Sequence, residues 1–118
     1  MKWKLLLLSL LFLVQPTFAK HKYLEKEYQK VWCNACGGIQ EYKLDDKTRV
    51  DCLLPEYAIE FDFANKWAES IGQSLYYGLK TNRKPAVVLI MENKTDQKYL
   101  DRLNTVADKY GIKVFIQR

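Results

Sequence analysis

Histidine is almost missing from this sequence. The 118 residues hold one, His21, so Ser/His/Asp and Cys/His triads, histidine-based nuclease motifs and multi-histidine zinc sites would all depend on it and are disfavoured from the outset. Cysteine is scarce as well. With three, Cys33, Cys36 and Cys52, one disulfide can form and one thiol is left over. No apolar run approaches the ~20 residues that a bilayer-spanning helix needs; the longest, Leu5 to Val14, has about half that length. Repeats, low-complexity tracts and linkers are absent. What is present is a chain that is 48% hydrophobic and 28% charged with a net charge of +5, the composition of one globular domain.

Lys2 and Lys4, the apolar run and the small residues around Thr17-Phe18-Ala19 read together as a secretory signal peptide over residues 1–19, with cleavage before Lys20 and a single domain over residues 20–118. An uncleaved anchor or a buried helix is the alternative. No cysteine stands at the cleavage point, which argues against a lipoprotein anchor. The expected location is periplasmic or secreted, and removal of Lys2 and Lys4 reduces the net charge to +3. That excess permits an anionic partner without requiring one. Disulfides persist in an exported chain, and a structural Cys33–Cys52 bridge is the preferred pairing. The segment Trp32-Cys33-Asn34-Ala35-Cys36 resembles the redox motif of thioredoxin-like proteins, which would make the chain a small thiol redox protein using Cys33 and Cys36. That motif needs a buried strand before it and a helix starting at its first cysteine. Here a helical pattern precedes it and Gly37-Gly38 follows.

Helical spacing predicts a helix reaching about Trp32, with Tyr23, Leu24, Tyr28, Val31 and Trp32 as its apolar stripe. Three alternating strands follow, Ile39 to Leu44, Thr48 to Leu53 and Tyr57 to Phe63, separated by turns at Asp45-Asp46-Lys47 and Pro55-Glu56. A helix from Asn65 to about Lys80 should bury Trp67, Ile71, Leu75 and Leu79. Ala86 to Met91 reads as a strand covered on both faces. A helix from Asp96 to Tyr110, ended by Gly111, and a strand from Ile112 to Ile116 complete an α/β chain with the order αβββαβαβ.

A tight turn at Pro55-Glu56 would set Asp51 opposite Glu60, and Arg49 opposite Asp62, on one sheet face. Facing side chains have Cβ atoms about 4.5–5.5 Å apart, so Asp51 and Glu60 would be adjacent carboxylates with Asp62 two residues along. Like charges at that spacing cost stability unless one is protonated or a cation intervenes. A hard divalent ion, Mg²⁺ or Mn²⁺, suits oxygen ligands. The blander possibility is a solvated face on which Arg49 neutralises Asp62. Lys66, Glu69, Gln73, Tyr77 and Lys80 recur at helical spacing, and their donors suit phosphate oxygens.

Thr48-Arg49-Val50-Asp51, then Glu60-Phe61-Asp62, then Gln73-Ser74-Leu75-Tyr76-Tyr77 resemble the PD-(D/E)xK nuclease superfamily. More narrowly, Gln73 and Tyr77 are similar to the Q-x-x-x-Y signature of RecB-like nucleases. The resemblance covers about Tyr23 to Met91 and implies a restriction-endonuclease-like αβββαβ core, to which the last helix and strand are additions. It implies Asp51 and Glu60 as metal ligands and catalytic residues, with Glu27 or Glu25 on the first helix as a further ligand. Glu41, which a three-residue turn would set beside Asp51, is another candidate. Arg49, Gln73, Tyr77 and Lys80 would hold the substrate backbone. The sequence departs from the pattern at one telling place: Asp62 occupies the position of the ExK lysine. Lys66 on the adjoining helix could supply that charge, and Asp62 could bind a second metal or orient water.

The activity so implied is metal-dependent phosphodiester hydrolysis of nucleic acid, DNA first, by an exported enzyme. A catalytically inactive nucleic-acid-binding or structural module on the same fold is the alternative, supported by the missing lysine. Folds of this kind often act as dimers, so a homodimer stays open, although no motif specifies an interface.

Overall fold

Two stretches of sequence organise the centre of the molecule: the alternating Tyr57–Phe63 segment and the unbroken apolar run after Pro85. In a computed structural model, which describes residues 20–118, they are adjacent parallel strands. The segment read as a signal peptide, residues 1–19, lies outside the described residues. Helix α1 (Glu25–Ala35) precedes three strands, β1 (Ile39–Lys43), β2 (Arg49–Leu53) and β3 (Tyr57–Phe63). A 3₁₀ turn (Ala64–Lys66) leads into α2 (Trp67–Thr81) and then β4 (Lys84–Ile90). A second 3₁₀ turn (Lys94–Asp96), α3 (Gln97–Tyr110) and β5 (Lys113–Gln117) follow.

The result is a mixed α/β fold with a five-stranded sheet in the order β1-β2-β3-β4-β5. The first three strands are antiparallel neighbours, whereas β3, β4 and β5 run parallel. Helix α1 covers one face, where Cys33, Cys52, Ile59, Phe61, Ala86 and Val88 pack with Trp32. On the other face α2 and α3 enclose Val87, Leu89, Leu103 and Ala107. Residues 86 to 90 of β4 are buried throughout, as a strand covered on both faces must be. Gly111, at φ +70°, ends α3 in the left-handed region that glycine enters without a Cβ penalty.

Three expectations about faces need correction. The predicted stripe of α1 holds only in part: Tyr28 is buried and Trp32 packs against the core as expected, but Tyr23, Leu24 and Val31 are exposed, and Gln29 and Cys33 are buried in their place. The Cys33–Cys52 bridge and a bond from Gln29 to β2 turn that side of the helix inward. Leu79 is not part of the α2 seam, being 83% exposed. The buried line there is Ser70, Ser74, Tyr77 and Gly78, of which the two serines and the glycine are small enough to let the helix approach the sheet. A Cβ on Gly78 would come within 3.0 Å of the Arg83 carbonyl oxygen. Finally, Arg49 does not neutralise Asp62. Arg49 is exposed on β2 beside Lys43, and no ion pair joins it to Asp62.

Candidate active site

The site begins where a ladder stops. Strands β2 and β3 pair as Cys52↔Ile59 and Leu53↔Ala58, the register that sets Asp51 opposite Glu60. Beyond those pairs Asp51 replaces backbone with side chain: its Oδ2 accepts the Phe61 N–H at 2.8 Å. Its own carbonyl accepts a bond from Gln29 Nε2, also at 2.8 Å. On the other side of β2, the pairs Gln40↔Cys52 and Tyr42↔Val50 bracket Glu41, whose φ is +52°. Val50 packs with Ala58 and Tyr77 on the α2 face together with Leu53. Two residues three apart on one face mean that the strand's alternation breaks between them, at Asp51 and Cys52.

Around this break the sequence gathers carboxyls. Glu60 and Asp62 are each only 6% exposed. The carboxyls of Asp51 and Glu60 lie close enough to share a proton, as do those of Asp62 and of Glu25 at the start of α1. Asp62 Oδ2 is buried with no hydrogen-bond partner. Burial pushes the Glu60 carboxyl far up, to about 10, and the charges of Asp51 and Asp62 add to it. Burial likewise raises Asp62 to about 8, with Glu25 as the next cause. Asp51 rises to about 7 because burial outweighs the Phe61 N–H, which favours its charged form. Glu25 is raised by burial against the opposing influence of Asp62 and Lys66. Hydrogen bonding between carboxyls requires one of each pair to carry a proton, unless a cation replaces it.

The remaining residues singled out from the sequence divide into those near the cluster and those away from it. Lys66, exposed on the turn after β3, contributes its charge at Glu25. Tyr77 is buried, and after burial the carboxyls of Glu60 and Asp51 are what raise its phenol. Gln73 and Lys80 are exposed on α2. Glu27 points elsewhere: its Oε2 accepts the Leu24 N–H at 3.3 Å and caps α1, so of the two first-helix acids Glu25 is the one at the cluster. Glu41 also lies close enough for its charge to raise Asp51. Cys33 is bonded to Cys52, and Cys36 is an exposed free thiol at the C-terminal end of α1.

Gln29 is the residue that sequence reasoning missed. Its signal was present: Glu25, Gln29 and Cys33 are spaced four apart and therefore share a helix face. A buried glutamine must find partners, and this one supplies the donor that the interrupted β2 strand lacks.

The oxygen donors fit a hard divalent cation in chemical type, and the orphaned Asp62 oxygen is a ligand atom without a partner. Among the described residues, no three His, Cys, Asp or Glu side chains form a ready-made metal cluster as they stand; the carboxyls are arranged as two pairs. No helix among the described residues is long and apolar enough to cross a membrane. The chain matches no family model and has no significant match among curated proteins or solved structures.

Proposed function

We propose that the chain is an exported, metal-dependent nuclease of the PD-(D/E)xK type, hydrolysing phosphodiester bonds in nucleic acid, DNA first. The observation that carries this reading is the gathering of buried Glu60 and Asp62 with half-buried Asp51 beside Glu25, with no ion pair to any of them among the described residues. Such an arrangement is costly in a merely structural sheet and useful where a cation is to be held. The element order αβββαβ, followed by a helix and a strand, is in keeping with the restriction-endonuclease-like core that the motifs imply. The Cys33–Cys52 bridge is in keeping with an oxidising compartment, periplasmic or secreted.

Asp51, Glu60 and Glu25 would hold Mg²⁺ or Mn²⁺, with Asp62 orienting water or joining the ligands. Bound there, the ion would acidify a water and polarise the scissile phosphate. Lys66 supplies the positive charge that Asp62 cannot, at the edge of the cluster, to stabilise negative charge as it develops. Gln73, exposed on α2, donates to a backbone phosphate, with Lys80 and Arg49 adding charge. Tyr77 fixes the α2 side of the site through its packing.

A second reading is a catalytically silent nucleic-acid-binding module, favoured by Asp62 standing where the motif has lysine. Plasmid and linear DNA incubated with Mg²⁺, Mn²⁺ or EDTA separate the two. The nuclease reading expects cleavage that EDTA abolishes and that falls at least 100-fold in Asp51→Asn, in line with the typical effect of losing one electrostatic group at a reacting centre. Cleavage indifferent to EDTA or to Asp51→Asn would contradict it.

A further inference from the structure

We propose that the depression at the C-terminal end of α2 is a second phosphate subsite, which takes a backbone phosphate of a nucleic-acid strand whose scissile bond lies at the carboxyl cluster. The proposal rests on the nuclease reading for its substrate. The depression, of about 300 Å³, lies between Lys80, Thr81 and Arg83 on one side and Tyr42, Lys43 and Asp45 on the other. Three cations thus face one another across it against a single lining carboxylate. Like charges brought together repel, and none of the three forms an ion pair among the described residues.

Asp46, next to the lining Asp45, is already engaged. Asp46 Oδ1 accepts the Thr48 N–H at 3.0 Å and the Thr48 hydroxyl at 2.5 Å, and its Oδ2 accepts the Tyr76 hydroxyl. Lys80 is close enough to favour the Asp46 charge without forming an ion pair with it. Arg83 is held at the rim by a bond from its Nε to the Pro55 carbonyl, 3.3 Å. An exposed Tyr42 ring beside the cations offers a face on which an unstacked base can lie.

Helix α2 links this depression to the carboxyls. Tyr77 packs at the cluster, and Lys80 and Thr81 follow within about one helical turn, ~5.4 Å of axis. Exposed Gln73 lies one turn to the other side of Tyr77. A strand lying along α2 would therefore meet donors on both sides of the carboxyls. Backbone charge and a stacking face are what a polymer needs, and a free phosphate would use only the first.

The test is fluorescence anisotropy with a labelled single-stranded oligonucleotide in EDTA, titrated at several KCl concentrations. Lys43→Gln/Arg83→Gln should weaken binding about tenfold near physiological salt and reduce the slope of log K against log[salt] by about 1.4, two contacts at ~0.7 each. Lys43→Gln alone should remove about half of that slope change, which guards against a folding defect in the Arg83 variant. Lys94→Gln/Lys109→Gln, whose positions do not line the depression, should leave the slope unchanged. An unaltered slope in the Lys43/Arg83 variant, equal loss in the Lys94/Lys109 variant, or no binding by the wild type overturns the subsite. Inorganic phosphate bound as tightly as the oligonucleotide would make it a free-phosphate site and overturn it too. Mg²⁺-dependent cleavage is scored separately with Asp51→Asn. A slope change without cleavage upholds the subsite and rejects the nuclease reading, whereas cleavage with an unchanged slope does the reverse.

Discussion

Asp51 performs two tasks with one side chain and one carbonyl. Its Oδ2 closes the backbone of β3 at Phe61, and its carbonyl is closed by Gln29, so the strand can part from its neighbour without leaving buried groups unpaired. Gln29→Leu removes the donor while keeping bulk. It should cost about 1–3 kcal/mol, the usual penalty for an orphaned buried acceptor, as measured by urea denaturation. Loss of less than 0.5 kcal/mol would mean that water replaces Gln29. The carboxyls themselves make a pH prediction. Glu60, Asp62 and Asp51 have folded-state pKa values raised above the ~4 of an unfolded chain. The native state therefore binds more protons than the unfolded state, and the protein loses stability as pH climbs from about 4 through about 7, 8 and 10. In EDTA the melting temperature should fall between pH 5 and pH 8, and Glu60→Gln should raise it at pH 8 by on the order of 5 °C. A melting temperature that rises across that window, or a Glu60→Gln protein that melts lower at pH 8, would contradict this.

At the scale of elements, the strands and helices were largely legible because each has its own period. Tyr57–Phe63 alternates and turns Ile59 and Phe61 to one side and Glu60 and Asp62 to the other, and the Pro55-Glu56 turn sets its register against β2. The α3 stripe of Leu100, Leu103 and Ala107 is equally plain. What stayed hidden depends on tertiary partners. The face of α1 is chosen by Cys33 and Gln29, not by the apolar Tyr23, Leu24 and Val31, and the break in β2 at Asp51 leaves no trace in hydropathy. Likewise Glu25 and Glu27 are two residues apart, and only the cap that Glu27 makes for Leu24 separates their roles. Helix α1 is consequently joined to β2 at neighbouring positions, through Cys33–Cys52 and through Gln29 to Asp51. Cross-linking residues 19 apart in sequence contributes about 3 kcal/mol. Reduction by dithiothreitol should therefore lower the melting temperature by about 10–20 °C and weaken divalent-ion binding, since Glu25 travels with the helix. Unchanged stability after confirmed reduction would show that packing alone fixes α1.

For the molecule as a whole, the sheet brings distant parts of the sequence to one end. Glu92, just past β4, accepts the Lys22 N–H at 2.7 Å and the Tyr28 hydroxyl at 2.8 Å, and pairs with His21. His21 in turn stacks on Phe63, with ring centroids 3.5 Å apart. This ties the segment before α1 to the carboxyl ends of β3 and β4, close to Glu25. Glu92→Gln should loosen it, costing on the order of 1–3 kcal/mol and accelerating amide exchange in residues 20–24 while β4 stays protected; equal exchange throughout would contradict the tie. The acids themselves are the proposed metal centre. Calorimetric titration of the chelator-treated protein with Mn²⁺ at pH 8, in two buffers of different ionisation enthalpy, tests it most directly. Binding accompanied by proton release, and lost in both Asp51→Asn and Glu60→Gln, is the predicted result. No binding, or binding of equal strength in those two variants, would show that the buried carboxyls are not a metal centre.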